Sequence, residues 1–212
     1  MCGLPASGKT TTAERLRAAA GGVLIRSCDV YRELGISLPE WVRVTEGFTR
    51  NASAYEEARD TAYLSMLSRL KEQVTAGTRL VIVDAVHGEV AKRRAVFDLC
   101  AAHDYHPLLL WCRCDDRHEI ERRLSLRRGR ESEPECEASD GAVVDHLKGL
   151  WVDPADERCG VNAVPVLCYD THRARLHWMR LAPRSVRELV DRALPHGTWT
   201  SAALEGLDGA SP

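Results

Sequence analysis

The sequence predicts one α/β domain in which helices cover both faces of a parallel sheet. Two observations lead to this prediction. Short apolar runs typical of buried strands alternate along the chain with segments of helical periodicity. The chain also opens on GLPASGKT, a glycine-rich stretch of the kind that joins a buried strand to a helix. A length of 212 residues suits one domain with a sizeable core.

The opening stretch has the pattern of a phosphate-binding loop. Gly3, Gly8, Lys9 and Thr10 satisfy G-x-x-x-x-G-K-[ST]. The glycines let backbone N–H groups turn inward as an anion nest, and the next helix adds its positive dipole end. Lys9 can bridge the β- and γ-phosphates of a nucleotide, and the Thr10 hydroxyl can ligate Mg²⁺. The predicted nucleotide-binding residues are Gly3, Ser7, Gly8, Lys9, Thr10 and Thr11.

The first half of the chain begins the alternation of helices and strands. A helix is predicted at 10–20, where Gly21-Gly22 ends it, and the apolar run VLIR at 23–26 predicts a strand. Ser53 with Glu56 matches a capping box, which predicts the start of a long helix that Gly77 ends. The apolar positions of this helix recur every four residues, at Ala58, Ala62, Met66, Leu70 and Val74.

The second half continues the alternation. Strands are predicted at 80–83, 106–114 and 164–169, and helices at 90–103, 116–128, 140–151 and 183–194. Asp115 or Asp116 is the predicted cap of the helix that reaches residue 128. The predicted domain covers 1–194 with a lid at about 115–139, and the polar tail 195–212 is predicted to be disordered.

The strand that should lead into the phosphate loop is missing or truncated. Only Met1 and Cys2 precede Gly3. In phosphate-loop folds that strand is central, and its loss would leave backbone groups of both neighbouring strands without partners. Because the downstream segments are complete, we expect an upstream strand and an internal start at Met1. The alternative is a domain that tolerates a damaged sheet.

Composition argues against several classes of protein. The formal net charge of −2 argues against extended, sequence-independent binding of nucleic acid but is compatible with a local basic patch. The chain has neither an apolar run of about 18 residues nor a signal-peptide pattern, so we expect a cytoplasmic protein without a membrane partner. The eight cysteines form no C-x-x-C pair, which favours reduced, mostly buried thiols over a metal site.

Two polar residues follow the predicted strand 23–26 in the stretch RSCDVYRE. Asp29 and Arg32 therefore lie just past the carboxyl edge of the sheet, where ligands of α/β proteins bind. The Asp29 carboxylate can accept a hydrogen bond, and finally the proton, from an acceptor hydroxyl. It can equally cap a turn that begins at Val30. Arg32 can hold an anionic group of the acceptor or the transferring phosphoryl group.

Further along the chain, several residues each allow a functional and a structural interpretation. Asp84 ends an apolar strand, as a Walker-B-like carboxylate would, and would then lie within reach of Mg²⁺-bound water or of Arg32. The alternative is that Asp84 is simply a solvated residue at the end of the strand. His87 contacts the acceptor or is a loop residue. Trp41, Phe48 and Tyr55 form an acceptor pocket or pack on the sheet.

One helix and the segment after it are rich in arginine. Some of these side chains pair with Glu119 on a solvated helix face, and those next to Gly129 are placed to close over phosphates. The residues are Arg117, Arg122, Arg123, Arg127, Arg128 and Arg130.

The chain resembles the polynucleotide-kinase-like P-loop kinases in the order and spacing of four segments. These are GLPASGKTT, DVYRE, VIVDAVHGEVAKRR and the arginine-rich helix. That group includes polynucleotide 5′-kinases, seryl-tRNA kinases and small-molecule kinases, and the resemblance covers about residues 3–170. It implies a three-layer P-loop NTPase sandwich with five parallel strands in the order 2-3-1-4-5. The segment around His87 and Gly88 departs from the polynucleotide enzymes, which have a shorter turn there.

The resemblance also implies roles for individual residues. Lys9 and Thr10 would bind ATP and Mg²⁺, and Asp29 would be the general base. Arg32 would bind the acceptor side, and Arg127 would reach from the lid to the phosphates.

The resulting hypothesis is an ATP-dependent kinase that transfers the γ-phosphoryl group to a hydroxyl of a small molecule, a nucleic-acid end or a tRNA. No GTPase motif N-K-x-D occurs in the chain. Two alternatives stay open: a regulatory module that binds or hydrolyses ATP without an acceptor, and a non-catalytic remnant. The acceptor's identity and the oligomeric state are not specified by the sequence.

Overall fold

The computed structural model describes residues 1–36, 45–128, 141–154, 158–159 and 162–194. The helices are α1 (Lys9–Ala20), α2 (Ser27–Glu33), α3 (Thr45–Thr75), α4 (Val90–Ala102), α5 (Arg117–Arg128), α6 (Gly141–Gly149) and α7 (Arg184–Ala193). The strands are β1 (Val23–Arg26), β2 (Val81–Asp84), β3 (Leu109–Arg113), β4 (Arg158–Cys159), β5 (Asn162–Ala163), β6 (Val166–Asp170) and β7 (Arg175–Arg180). The described helices include none long and apolar enough to cross a membrane.

The strands form small sheets of mixed direction. β1 pairs with β2 in parallel, and β3 pairs in parallel with β6, which pairs on its other side with antiparallel β7. β4 and β5 form a separate short antiparallel pair. The predicted alternation of parallel strands and helices is therefore confirmed, whereas the prediction of one all-parallel sheet is not.

The residues before the phosphate loop lie between β2 and β3. The Met1 ammonium group donates to the Val83 carbonyl at 2.7 Å. On the other side, the Cys2 N–H donates to the Leu110 carbonyl, and the Cys2 carbonyl accepts from the Cys112 N–H, both at 2.9 Å. This short stretch thus supplies partners to backbone groups on both neighbouring strands.

Helices cover both faces of the central strands. Successive side chains of a strand point to opposite faces. Accordingly, Ile82 packs in a core with Leu16 of α1 and Val190 of α7. Its neighbour Val83 packs in a second core with Met66 of α3 and with α2 and α4. The result is three layers, with α1 and α7 on one side of the strands and α2, α3 and α4 on the other.

Helix α3 begins earlier than predicted. It starts at Thr45, so Ser53 and Glu56 lie inside it and their capping-box spacing does not mark its start. The predicted apolar stripe is confirmed from Ala62 to Val74, where the four members are 1–5% exposed. Gly77 ends the helix as predicted: it adopts a left-handed φ of 73°, and its N–H donates to the Val74 carbonyl at 3.1 Å.

Strand β7 and helix α2 were not predicted. β7 alternates exposed and buried residues, with Leu176 and Trp178 facing the core shared by α1 and α7. Helix α2 follows β1 with no intervening loop. Asp116, by contrast, caps α5 as predicted, because its carboxylate accepts from the Glu119 N–H at 2.9 Å.

None of the six cysteines whose side chains the structure describes is paired in a disulfide, and four of them, Cys2, Cys100, Cys112 and Cys114, are buried. Burial raises the pKa of the Cys2 and Cys112 thiols to about 12. These thiols are therefore protonated at neutral pH and contribute to packing, in agreement with the predicted buried, reduced state.

We expect Leu167→Ala to lower the free energy of unfolding by about 2–5 kcal/mol, because a buried leucine loses its contacts and leaves a cavity. Leu167 is 0% exposed and lies in the core between α1, α7 and the strands. Urea unfolding measures the effect. Leu64→Ala is the matched control, since Leu64 is 67% exposed on α3 and should change stability by less than about 0.5 kcal/mol.

Candidate active site

The phosphate loop is held in a conformation that requires both of its pattern glycines. Gly8, which caps α1, has a left-handed φ of 86°, and Gly3 has a φ of 149°. A Cβ atom on Gly8 would lie 2.9 Å from Thr171 Oγ1, and one on Gly3 would lie 2.4 Å from the Cys112 carbonyl oxygen. A larger residue at either position would therefore be strained and would collide with a neighbouring segment.

The polar side chains of the loop turn inward. Lys9 is only 3% exposed, and its ammonium donates to the Leu4 carbonyl at 3.1 Å, so the side chain runs back along the loop. The buried Ser7 hydroxyl has no hydrogen-bond partner among the described residues. A buried hydroxyl without a partner is costly, and a bound phosphate oxygen would remove that cost.

Thr10 and Asp84 form the pair expected of a magnesium site. The Thr10 hydroxyl donates to Asp84 Oδ2 at 2.8 Å, and Asp84 is 3% exposed. Asp84 is therefore not the solvated strand end that was the alternative interpretation. Hydroxyl and carboxylate oxygens are ligands that Mg²⁺ prefers, and Mg²⁺ takes its remaining ligands from phosphate and water. This donor set fits Mg²⁺ bound together with a nucleotide.

Asp29 lies beside this pair at the carboxyl edge of the strands and is held by two arginines. Strands β1 and β2 end in register, with Arg26 opposite Asp84. Arg26 donates to both oxygens of the Asp29 carboxylate, at 2.6 and 2.9 Å. Arg32 donates to the same carboxylate at 2.9 Å, and Arg26 also reaches Glu14 of α1 at 3.2 Å.

The cap interpretation of Asp29 is wrong. Helix α2 begins at Ser27, so Asp29 lies in its first turn, and the cap position is Arg26 without a side-chain cap. Arg32 lies one turn further on, which explains why it pairs with Asp29 rather than pointing away from it. A carboxylate offers about four acceptor positions, so Asp29 can accept a further hydrogen bond from a ligand hydroxyl.

The Asp29 carboxyl stays ionised well below neutral pH. Burial would raise the pKa of the Asp29 carboxyl, but hydrogen bonds and charges from Arg26 and Arg32 outweigh it and hold the pKa below its usual value. The carboxylate is therefore ionised throughout the neutral range.

We expect the stability contributed by Asp29 to be fully present above about pH 4, the unfolded pKa of an aspartate, and to be lost as the pH falls through the lower folded pKa. Urea unfolding of the wild type and of Asp29→Asn between pH 6 and pH 2 measures it. The free energies of unfolding of the two proteins should differ most near neutral pH and become similar in acid. A difference that instead grows as the pH falls would contradict the lowered pKa.

Arg123 connects the phosphate loop to two other segments. Its guanidinium donates to the Ala6 carbonyl at 3.0 Å and to Thr171 Oγ1 at 2.9 Å. Thr171, in the turn after β6, in turn donates to the Ser7 carbonyl at 2.8 Å. The predicted pairing of Glu119 with Arg123 is also present, at 2.6 Å. Arg123 is thus a positioning residue for the loop.

We expect Arg123→Ala to lower the free energy of unfolding by about 1–3 kcal/mol, because it removes charged hydrogen bonds to two segments at once. Thermal and urea unfolding measure the loss. Arg122→Ala is the control: Arg122 binds the same Glu119 at 2.7 Å, but its side chain is 61% exposed. Such a surface pair should be worth about 0–1 kcal/mol. Equal effects of the two variants would show that the loop contacts of Arg123 add nothing.

A cleft opens next to the phosphate loop, between α3, α6 and the segment that follows β2. We call it the α3–α6 cleft. The residues that line it include Pro5, Tyr31, Arg59, Tyr63, His87 and Leu147. The Gly3 N–H donates to the Val86 carbonyl at 3.1 Å, which ties the loop to the wall of the cleft. His146 of α6 also contacts Glu56 of α3, at 2.7 Å.

Several predicted site residues lie outside the described part of the chain. The side chain of Arg127 is among them, as are residues 129–139 of the predicted lid and the side chains of Trp41, Phe48 and Tyr55. Their roles stay predictions. Conversely, Arg123, Thr171 and the cleft residues Arg59 and Lys92 were not predicted as site residues, because contacts between distant segments bring them to the site.

Comparison with known proteins identifies the family. Residues 1–148, which include the phosphate loop, Asp29 and Asp84, match a family model described as an AAA domain. The chain belongs to this AAA-domain family. No curated protein sequence matches this AAA-domain protein significantly.

Two solved structures are similar to this AAA-domain protein. One is a protein of Chloroflexus aurantiacus described only as a candidate kinase. Its sequence is 14% identical, the match covers 90% of this chain and 94% of the Chloroflexus chain, and the TM-score is 0.54. The other is a gluconokinase of Sinorhizobium meliloti, with 16% identity, coverage of 91% and 86%, and a TM-score of 0.48. Together with the family match, the first similarity supports an α/β P-loop NTPase fold.

Proposed function

We propose that this protein is an ATP-dependent kinase that transfers the γ-phosphoryl group of ATP to a hydroxyl group of a small molecule. The observation that most favours this proposal is the α3–α6 cleft, which shares Pro5 with the phosphate loop. An acceptor in this cleft would lie beside the end of a nucleotide triphosphate. A module that only binds or hydrolyses ATP has no need of such a cleft.

The nucleotide side of the proposed site consists of the phosphate loop and two oxygen ligands. Lys9 would move from the Leu4 carbonyl to the β- and γ-phosphates. Thr10 and Asp84 would hold Mg²⁺, directly or through water. When bound, Mg²⁺ neutralises phosphate charge and orients the triphosphate. Arg127 would add a positive charge from the lid, as the family resemblance implies.

Asp29 is the proposed general base. The acceptor oxygen forms a bond to the γ-phosphorus while the bond from that phosphorus to the β,γ-bridging oxygen breaks. The hydroxyl proton passes to the Asp29 carboxylate, and ADP and a phosphate ester leave. Arg26 and Arg32 orient the carboxylate, and Arg32, whose side chain is 52% exposed, is also accessible to an anionic group.

Two finer features belong to the same proposal. Met1–Gly3 would stand in for the first strand, so that β1, β2, this stretch, β3 and β6 follow the order 2-3-1-4-5 implied by the resemblance. Because the reaction consumes ATP, we place it in the cytoplasm.

A screen for acceptor-dependent ADP release tests the proposal. Candidate acceptors are polyols, amino alcohols, nucleosides, 5′-hydroxyl ends of RNA and DNA, and seryl-tRNA. The proposal expects at least one to stimulate ADP release in the wild type and not in Asp29→Asn. Acceptor-independent hydrolysis that Asp29→Asn leaves unchanged would favour the regulatory module instead.

A further inference from the structure

We propose that the acceptor is an uncharged small molecule with an apolar portion, and that His87 recognises its hydroxyl group in the α3–α6 cleft. This inference rests on the proposed function, because it names the substrate class of the same cleft.

His87 belongs to the lining of the cleft, is buried, and has a ring nitrogen without a hydrogen-bond partner among the described residues. It is 6% exposed, and its ring packs edge-on against Tyr63, with centroids 5.6 Å apart. Its Nδ1 atom is buried and has no hydrogen-bond partner among the described residues. Because an unsatisfied buried nitrogen is costly, a ligand hydroxyl that bonds to it would bind favourably and in one orientation.

The backbone around His87 is held in place for this side chain. His87 adopts a left-handed φ of 46°, which is uncommon for a residue with a side chain. Arg93, which is 1% exposed, donates to the carbonyls of His87 and Gly88 at 2.8 and 2.9 Å. Strained backbone that surrounding groups hold in this way is typical of ligand sites.

The charges that line the cleft disfavour an anionic acceptor. In the described part of the lining, Arg59 pairs with Glu56 and, at 2.6 Å, with Glu89. Lys92 pairs with Asp60 at 2.8 Å and with Glu89 at 3.2 Å. A carboxylate or phosphate would have to displace these partners and leave a carboxylate unpaired.

His87 adds no positive charge that could compensate. Burial, reinforced by nearby cations, lowers the pKa of its imidazole well below the usual value, so the ring is neutral. An uncharged hydroxyl needs no counter-ion and can either donate to or accept from such a ring.

The remaining walls favour a ligand with apolar surface. Ala62 and Met66 of α3, Ala85 after β2 and Leu147 of α6 line the cleft and are 1–7% exposed. Helices stand on two sides, which suits a small molecule better than the anionic end of a polynucleotide. The cleft therefore combines apolar walls with a neutral histidine among its polar lining residues.

Binding of matched probe pairs tests the inference without requiring catalysis. The probes are benzyl alcohol with 4-(hydroxymethyl)benzoate, and uridine with uridine 3′-monophosphate. Each is titrated into protein labelled with ¹⁵N at histidine, and the imidazole resonances are followed. We expect the uncharged members to shift the His87 resonances and to bind at least about tenfold more tightly than their anionic partners.

Variants of His87 separate recognition from structure. His87→Phe keeps a ring but loses the nitrogen, and it should weaken uncharged probes by about tenfold. His87→Asn places an amide near the Nδ1 position and tolerates positive φ, so it should retain most of the affinity. His177→Phe is the control, because His177 is exposed on β7. A lower melting temperature of His87→Phe would mean that the variant also disturbs the structure. In that case Leu150→Trp serves as a second test: Leu150 is a half-buried lining residue, and a tryptophan there fills the cleft and should abolish probe binding.

Any of three results would overturn the inference. These are tighter binding of the anionic probes than of the uncharged ones, unchanged probe affinity in His87→Phe, and no shift of the His87 resonances with any uncharged probe. Probe binding at His87, combined with a screen in which no acceptor stimulates ADP release, would leave the recognition of an uncharged ligand standing and refute the kinase proposal, so the two failures are distinguishable.

Discussion

Lys9→Met is expected to lower the rate of ATP turnover by about 10²–10³-fold, the range seen when one charge-stabilising donor is removed from a transition state. The loop holds Lys9 with its ammonium against the Leu4 carbonyl, from which it would move to the phosphates. Methionine keeps the stem of the side chain and removes the charge. ADP release at saturating acceptor measures the loss.

The fold should survive this change. Lys9 is 3% exposed, so a truncation to alanine would leave a cavity, whereas methionine fills most of the same volume. Melting temperature without nucleotide should therefore stay close to that of the wild type, and only the increase caused by Mg-ATP should disappear. Unchanged turnover in a folded Lys9→Met protein would refute the kinase proposal.

Asp29→Asn is expected to lower the acceptor-dependent rate by about 10²–10⁴-fold, as for loss of a general base, with nucleotide affinity close to wild type. The amide has the same shape, and its oxygen can still accept from an arginine, but its NH₂ group can neither accept the remaining arginine hydrogen bond nor take the hydroxyl proton. Single-turnover phosphoryl transfer, together with nucleotide titration, separates the two quantities. A collapse of nucleotide affinity would instead assign Asp29 to the metal site.

Glu14→Gln is the matched control for Asp29. Glu14 also pairs with Arg26, at 3.2 Å, but its side chain is 49% exposed on α1. It should alter the rate far less than Asp29→Asn. Similar losses in both variants would mean that the effect comes from the orientation of Arg26 and not from proton transfer.

The parts of the site that sequence alone predicted are those held in short segments. Gly3, Gly8, Lys9 and Thr10 belong to one loop whose pattern is itself the chemical requirement. Asp29 could be placed at the carboxyl edge because it follows an apolar run by three residues. Asp84 was proposed as a metal ligand because it ends an apolar run; its hydrogen bond with Thr10 was not predicted, and the metal role stays a prediction.

The parts that were missed depend on contacts between distant segments. Glu119 and Arg123 have the spacing of an ordinary surface pair, and nothing local shows that the same guanidinium reaches Ala6. The α3–α6 cleft likewise joins Pro5 to Leu147, residues far apart in sequence that meet because α6 packs against the phosphate loop. Helix α2 was missed because it is short and follows β1 without a turn.

Helix α1 connects the proposed nucleotide side of the site to the proposed acceptor side. Thr10 and Glu14 lie one turn apart on it, and they reach Asp84 and Arg26, the last residues of two adjacent strands. Through Arg26 the same helix also contacts the carboxylate of Asp29. The two substrates would then not occupy independent sites. We expect bound ATP to raise the affinity for the acceptor and, by linkage, bound acceptor to raise the affinity for ATP by the same factor, which is positive cooperativity between the two substrates.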